Sequence, residues 1–138
     1  MRELTELRAA ARAARERAYA PYSHFTVGAA VETDDGRRFT GANVENASYG
    51  LTVCAERTAV FAAVLAGAKR IAAVAVSGPD GVTTPPCGAC RQVLAEFGAA
   101  DVPLSYARAD GAWTDTTLGA LLPDAFDAAA LEPARGIA

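Results

Sequence analysis

The sequence predicts an α/β layered domain in which helices flank a mixed sheet. Apolar residues recur at three- and four-residue steps in several stretches, and compact apolar runs of strand length alternate with them. Glycine or proline punctuates nearly every junction. The resulting order is α-β-β-α-β-α-β-β-α, carried by 138 residues, which suits one domain over residues 1–138 with no repeat or linker to divide it.

Residues 2–18 read as the first helix, with Leu4, Leu7, Ala11, Ala14 and Ala18 on one face and arginines and glutamates on the other. Pro21 ends it, and Pro21-Tyr22-Ser23-His24-Phe25 forms a loop. Strands follow at 26–33 and 38–44 around Asp34-Asp35-Gly36, a hairpin signal. The second strand runs into Asn43-Val44-Glu45-Asn46-Ala47, and residues 48–53 connect onward with Gly50 as the flexible point. Cys54 opens a helix that continues through Ala66 to Gly67, with Val60, Phe61, Val64 and Leu65 expected as its buried stripe. The apolar run 71–76 suits a central strand covered on both faces. A helix over 88–97 stops at Gly98, and 102–107 is the next strand. Asp110-Gly111 turns the chain into a short strand around Trp113. Thr117 caps a short helix through Leu122, stopped near Pro123, and 126–131 adds a last turn.

Composition narrows the function classes. The net charge of −3 provides no electrostatic footprint for nucleic acid or an anionic membrane. The charged stretch from Arg2 to Arg17 has no apolar core of a signal peptide, and no apolar run is long enough to span a bilayer. These features point to a cytoplasmic protein with neither nucleic-acid nor membrane partner.

All 3 cysteines fall in two pieces, Cys54-Ala55-Glu56 and Pro86-Cys87-Gly88-Ala89-Cys90. Three thiolates leave one position of a tetrahedral zinc open for water, the catalytic arrangement; a closed structural site needs a fourth protein ligand. The sole histidine, His24, lies far off in a loop, so a distant carboxylate would have to serve. A redox pair at Cys87 and Cys90 has the right spacing but leaves Cys54 and Glu56 unexplained. Both metal pieces sit at predicted helix N-termini, whose free N–H groups stabilise thiolates. Glu56 stands two residues past the first ligand, close enough to serve a water at the open position. Zinc deaminases acting on nucleobases use this combination, with a glutamate that carries protons and is not a ligand.

Together with Pro21-Tyr22-Ser23-His24-Phe25-Thr26-Val27-Gly28-Ala29-Ala30, Gly41-Ala42-Asn43-Val44-Glu45-Asn46-Ala47, Cys54-Ala55-Glu56-Arg57-Thr58-Ala59, Pro86-Cys87-Gly88-Ala89-Cys90-Arg91-Gln92-Val93 and Leu121-Leu122-Pro123-Asp124-Ala125-Phe126, the chain resembles the cytidine deaminases in their small three-cysteine form. The resemblance implies a three-layer α-β-α sandwich with a mixed, roughly five-stranded sheet. It implies hydrolytic deamination of free cytidine and deoxycytidine to uridine and deoxyuridine, in pyrimidine salvage. It implies one zinc on Cys54, Cys87 and Cys90, with Glu56 carrying protons and Arg57 tuning the metal by hydrogen bonds to its sulfurs. Asn43 and Glu45 match the sugar-binding segment, Phe25 the aromatic that packs on the pyrimidine, and the Ala55 backbone a contact to the base edge. A homotetramer with shared sites is implied too, completed by Tyr49 and Phe126 from neighbouring subunits. Blasticidin-type or other aminopyrimidine deaminases share the metal pieces, and a non-catalytic zinc or redox module remains the contrasting class. Ala42 departs from the family pattern beside the sugar segment without replacing a functional atom.

Overall fold

The computed structural model of the chain describes residues 3–131. Helix α1 spans Thr5–Ala14, strands β1 and β2 span Gly28–Thr33 and Arg38–Ala42, and helix α2 spans Ala55–Leu65. Strand β3 (Ile71–Ser77), helix α3 (Gly88–Phe97), strands β4 (Pro103–Ala107) and β5 (Trp113–Thr117) and helix α4 (Leu118–Leu121) complete the order. Short 3₁₀ turns occur at Arg15–Arg17, Tyr49–Leu51 and Ala128–Leu131. The five strands pair in the order β2-β1-β3-β4-β5, with β3 and β4 parallel and the other neighbours antiparallel. The expected mixed sheet is the one observed.

Strand alternation sorts side chains into two layers. Ala30, Ala73 and Ala75 turn to one face and pack under Leu4, Leu7 and Ala11 of the α1 side. Ala29, Val31, Val74 and Val76 turn to the other face and meet Ala55, Ala59, Val60 and Ala63 of α2 and Leu94 of α3. Both helix layers come in close. A Cβ on Gly28 would lie 2.0 Å from the Ala11 carbonyl oxygen, and one on Gly41 would lie 2.3 Å from Thr58 Oγ1 and 2.4 Å from the Ala59 nitrogen.

That closeness corrects the expected stripe of α2. Ala55, Ala59 and Ala63, with Val60, form the buried face, because a sheet backbone this near admits little more than a methyl group. Phe61 and Val64 are turned outward, and Leu65 is 89% exposed.

Four expected boundaries also shift. The helical conformation after Thr5 gives out at Arg17 rather than at residue 18, because Tyr19 joins an extended bridge with Val44; the expected start at residue 2 lies outside the described residues. In that bridge the Tyr19 amide donates to the Asn43 carbonyl (2.9 Å) and the Glu45 amide to the Tyr19 carbonyl (2.8 Å). Strand β1 starts at Gly28 rather than 26, since Val27 N donates to the Asn43 side chain. Strand β2 stops at Ala42 rather than 44, and Val44 pairs with Val53 and Tyr19 instead. The short helix capped by the Thr117 hydroxyl closes at Leu121.

Candidate active site

The two metal pieces meet at adjacent helix N-termini. Cys54 is the cap residue of α2 and Cys87 that of α3, both in extended backbone, while Cys90 lies in the first turn of α3. Sγ of Cys54 is 3.8 Å from that of Cys87, and Cys87 is 3.3 Å from Cys90. All three sulfurs lie within 4.8 Å of one another. Zn–S bonds of about 2.3 Å at the tetrahedral angle put sulfurs about 3.8 Å apart, so the cluster fits zinc. Among the described residues no histidine, carboxylate or further cysteine joins it, which leaves one coordination position open.

The surroundings also fit a cation. Two of the thiols, Cys54 and Cys90, compete for a proton: Cys54 is drawn down to about 5, first by a hydrogen bond from Cys90 and then by the Arg57 guanidinium. Cys90 is pushed up by the same hydrogen bond, by burial and by the charge of Glu56. Cys54, Cys87 and Cys90 would hold a divalent metal as thiolates, which would remove this conflict. Arg57 Nη2 donates to Cys54 Sγ at 3.3 Å, and the buried Nε finds no hydrogen-bond partner among the described residues.

Glu56, one residue into α2, is only 4% exposed. Burial raises its pKa, with the neighbouring Cys54 charge adding to the effect. A carboxyl held this way takes up a proton more readily than a solvated one.

The remaining predicted residues divide between a nearby loop and the periphery. Asn43 is buried: its Oδ1 accepts from Val27 N at 2.9 Å and its Nδ2 donates to the Phe25 carbonyl at 2.7 Å. Glu45 Oε1 accepts from the backbone amides of Tyr22 (3.0 Å) and Ser23 (3.1 Å), and its Oε2 from the Ser23 hydroxyl. Asn43, Glu45 and Phe25 are therefore brought together around one loop, with the Phe25 residue 39% exposed. Ala55 is fully buried directly after Cys54. Tyr49 is 77% exposed on its 3₁₀ turn and Phe126 62% exposed on the last described stretch, so neither ring is part of this chain's own core.

Two residues not singled out in the sequence hold the site's frame. Arg91 Nε donates to the Pro86 carbonyl (2.8 Å) and Nη1 to the Leu121 carbonyl (2.9 Å), tying the loop before Cys87 to the end of α4. Ser23 bridges Phe25 and Glu45, and its only sequence signal is a hydroxyl two residues before the Phe25 amide, the spacing of a local serine turn.

A family model described as the cytidine and deoxycytidylate deaminase zinc-binding region matches residues 1–106, which include all three cysteines and Glu56. A curated cytidine deaminase from Halalkalibacterium halodurans is 51% identical over 115 residues, 83% of this chain and 87% of that protein. The solved cytidine deaminase of Burkholderia pseudomallei is similar with a TM-score of 0.85 at 52% identity, covering 91% of this chain and 100% of that one. For the Mycobacterium tuberculosis cytidine deaminase structure the TM-score is 0.79 at 46% identity, over 91% of this chain and 98% of that one.

Proposed function

Because this chain belongs to the cytidine and deoxycytidylate deaminase family, we propose that it hydrolyses free cytidine and deoxycytidine at C4, releasing ammonia and leaving uridine or deoxyuridine. The observation that carries the reading is the pairing of a three-sulfur cluster with one open position and a buried carboxyl one residue into the adjoining helix. Zinc bound there supplies Lewis acidity that brings the pKa of a water at the open position to near 7.

Glu56 does the proton work. It takes a proton from the attacking water and delivers it to ring N3, then takes the second proton from that oxygen, now bonded to C4, and gives it to the amine as the C4–N bond breaks. Burial raises the pKa of that carboxyl above its ordinary value. Arg57 offsets part of the negative charge of three thiolates through its bond to Cys54.

Asn43 and Glu45 suit a sugar hydroxyl. After its backbone bonds Asn43 keeps one N–H, and Glu45 keeps one acceptor site out of about four. A hydroxyl accepts from the one and donates to the other. Phe25 beside them offers a half-exposed ring face for the pyrimidine, and the Ala55 backbone an edge contact. A free nucleoside is favoured over a polynucleotide because the acidic chain provides no cationic groove, and the Glu45 charge disfavours a phosphate near the sugar.

In this reading residues 1–138 act as one domain in the cytoplasm, where reducing conditions keep the three cysteines available to metal. Among the described residues no helix is long and apolar enough to cross a membrane. The outward Phe61, Val64 and Leu65 of α2, with exposed Tyr49 and Leu51 just before that helix, support a homotetramer in which neighbours share sites.

The test is to mix zinc-loaded protein with cytidine and follow its absorbance band together with ammonia. Loss of the band with one ammonia per nucleoside is expected, for deoxycytidine as well. No turnover, or turnover confined to oligonucleotides, would remove the reading.

A further inference from the structure

The loop Pro21–Phe25 is fastened to the segment after β2 by two independent sets of hydrogen bonds. One set belongs to Asn43, which holds Phe25 O and Val27 N. The other belongs to Glu45, whose Oε1 takes the Tyr22 and Ser23 amides. The Ser23 hydroxyl stands between the two: it accepts from Phe25 N at 3.0 Å and donates to Glu45 Oε2. Between Ser23 and Phe25 lies His24 in the left-handed region (φ 56°), a turn that lets the serine hydroxyl reach the Phe25 amide. Glu45 lines a cavity of about 440 Å³ with Tyr22, Ser23, Asn46, Tyr49 and Thr52.

We propose that Ser23 is a positioning residue for substrate selection: its hydroxyl uses up one of the two acceptor sites on Glu45 Oε2, aims the other at the substrate's sugar hydroxyl, and ties that aim to the placement of Phe25. This deepens the reading in which Glu45 meets the sugar, and it rests on that reading. The loop does not need Ser23 in order to fold, since the Asn43 bonds and the two amide bonds to Oε1 remain without it. What is lost without the hydroxyl is orientation. Oε2 then loses its serine partner, water takes that acceptor site, and the carboxylate, held through Oε1 alone, has to be ordered further when substrate binds. The chain of bonds from the Phe25 amide through Ser23 to the carboxylate also polarises along its length, so the tie is stronger than either bond alone.

The experiment compares kcat and KM for cytidine and 3′-deoxycytidine in the zinc-loaded wild type, Ser23→Ala and Ser23→Thr, with zinc content and melting temperature alongside. The wild type should prefer cytidine by about 10⁴ in kcat/KM, as sites that pair a substrate hydroxyl do. In Ser23→Ala the KM for cytidine should rise about tenfold with kcat, zinc and melting temperature nearly unchanged, the size expected for one hydrogen bond to a charged group. The value for 3′-deoxycytidine should hardly move, so the preference narrows about tenfold, and Ser23→Thr should restore it. A wild type that accepts both nucleosides equally would overturn the sugar reading of Glu45, and the proposal with it. A large wild-type preference that Ser23→Ala leaves intact, or an equal loss on both nucleosides, would overturn the role of Ser23 alone and leave the sugar reading standing.

Discussion

Glu56 owes its chemistry to an address one residue inside α2, where the helix has just left the Cys54 cap and the sheet excludes water. Glu56→Gln preserves that shape and removes the proposed proton carrier. Zinc content and fold should be kept while kcat falls by about 10²–10⁴; a variant with near-normal kcat would make Glu56 a structural residue. At this scale the site was legible wherever the chemistry is local in sequence. Cys54 with Glu56, and Cys87 with Cys90, announce themselves by spacing because a helix N-terminus brings neighbours in sequence together. Ser23 was not legible, because its meaning depends on Glu45, a residue 22 positions away that only closure of the loop brings within reach. Asn43 was legible as a polar residue at a strand end, yet its two backbone bonds, one of which sets where β1 begins, required the fold to be seen.

Helices reach this sheet through two glycines, and the one on β2 controls the metal side. Gly41 faces α2, the helix that carries Cys54 at its cap and Glu56 in its first turn. Its missing side chain is the reason that α2 buries alanines at every fourth position and turns Phe61, Val64 and Leu65 outward. The sequence alone favoured the larger residues as core because hydrophobicity outranks size in a periodicity argument. The controlling quantity was the distance between layers, which Gly41 sets from another element. In Gly41→Ala a methyl would have to enter within 2.5 Å of Thr58 Oγ1, Ala59 N and the Ala55 carbonyl oxygen. The helix must then lift, at a cost of about 1–3 kcal/mol. Urea unfolding should show the loss, and metal analysis should show reduced zinc as the Cys54 end of α2 moves from α3. Gly50→Ala, at an open position, should stay within about 0.5 kcal/mol of the parent. An equal midpoint for both variants would mean that the α2–β2 spacing is not what limits stability.

The molecule as a whole keeps its last described stretch on the metal-bearing side. Arg91 joins the Pro86 and Leu121 carbonyls, and Gln92 Nε2 donates to the Phe126 carbonyl at 2.8 Å. These bonds grip backbone and leave the Phe126 ring 62% exposed. An aromatic ring fixed by its main chain and bare of its own core is suited to enter another subunit's site. Subunit mixing tests this. Glu56→Gln chains keep Phe126, and Phe126→Ala chains keep Glu56. If the ring acts across an interface, co-refolding equal amounts gives about a quarter of sites with both groups intact, since symmetric assembly places every chain beside either kind of neighbour. At cytidine concentrations well below KM, where loss of the ring should cost most, the mixture should exceed the activity of Phe126→Ala alone. If the ring serves its own chain, every site lacks one of the two groups and no mixture recovers. A mixture no more active than Phe126→Ala, in oligomers that mass measurement shows to be mixed, would therefore place Phe126 with its own subunit.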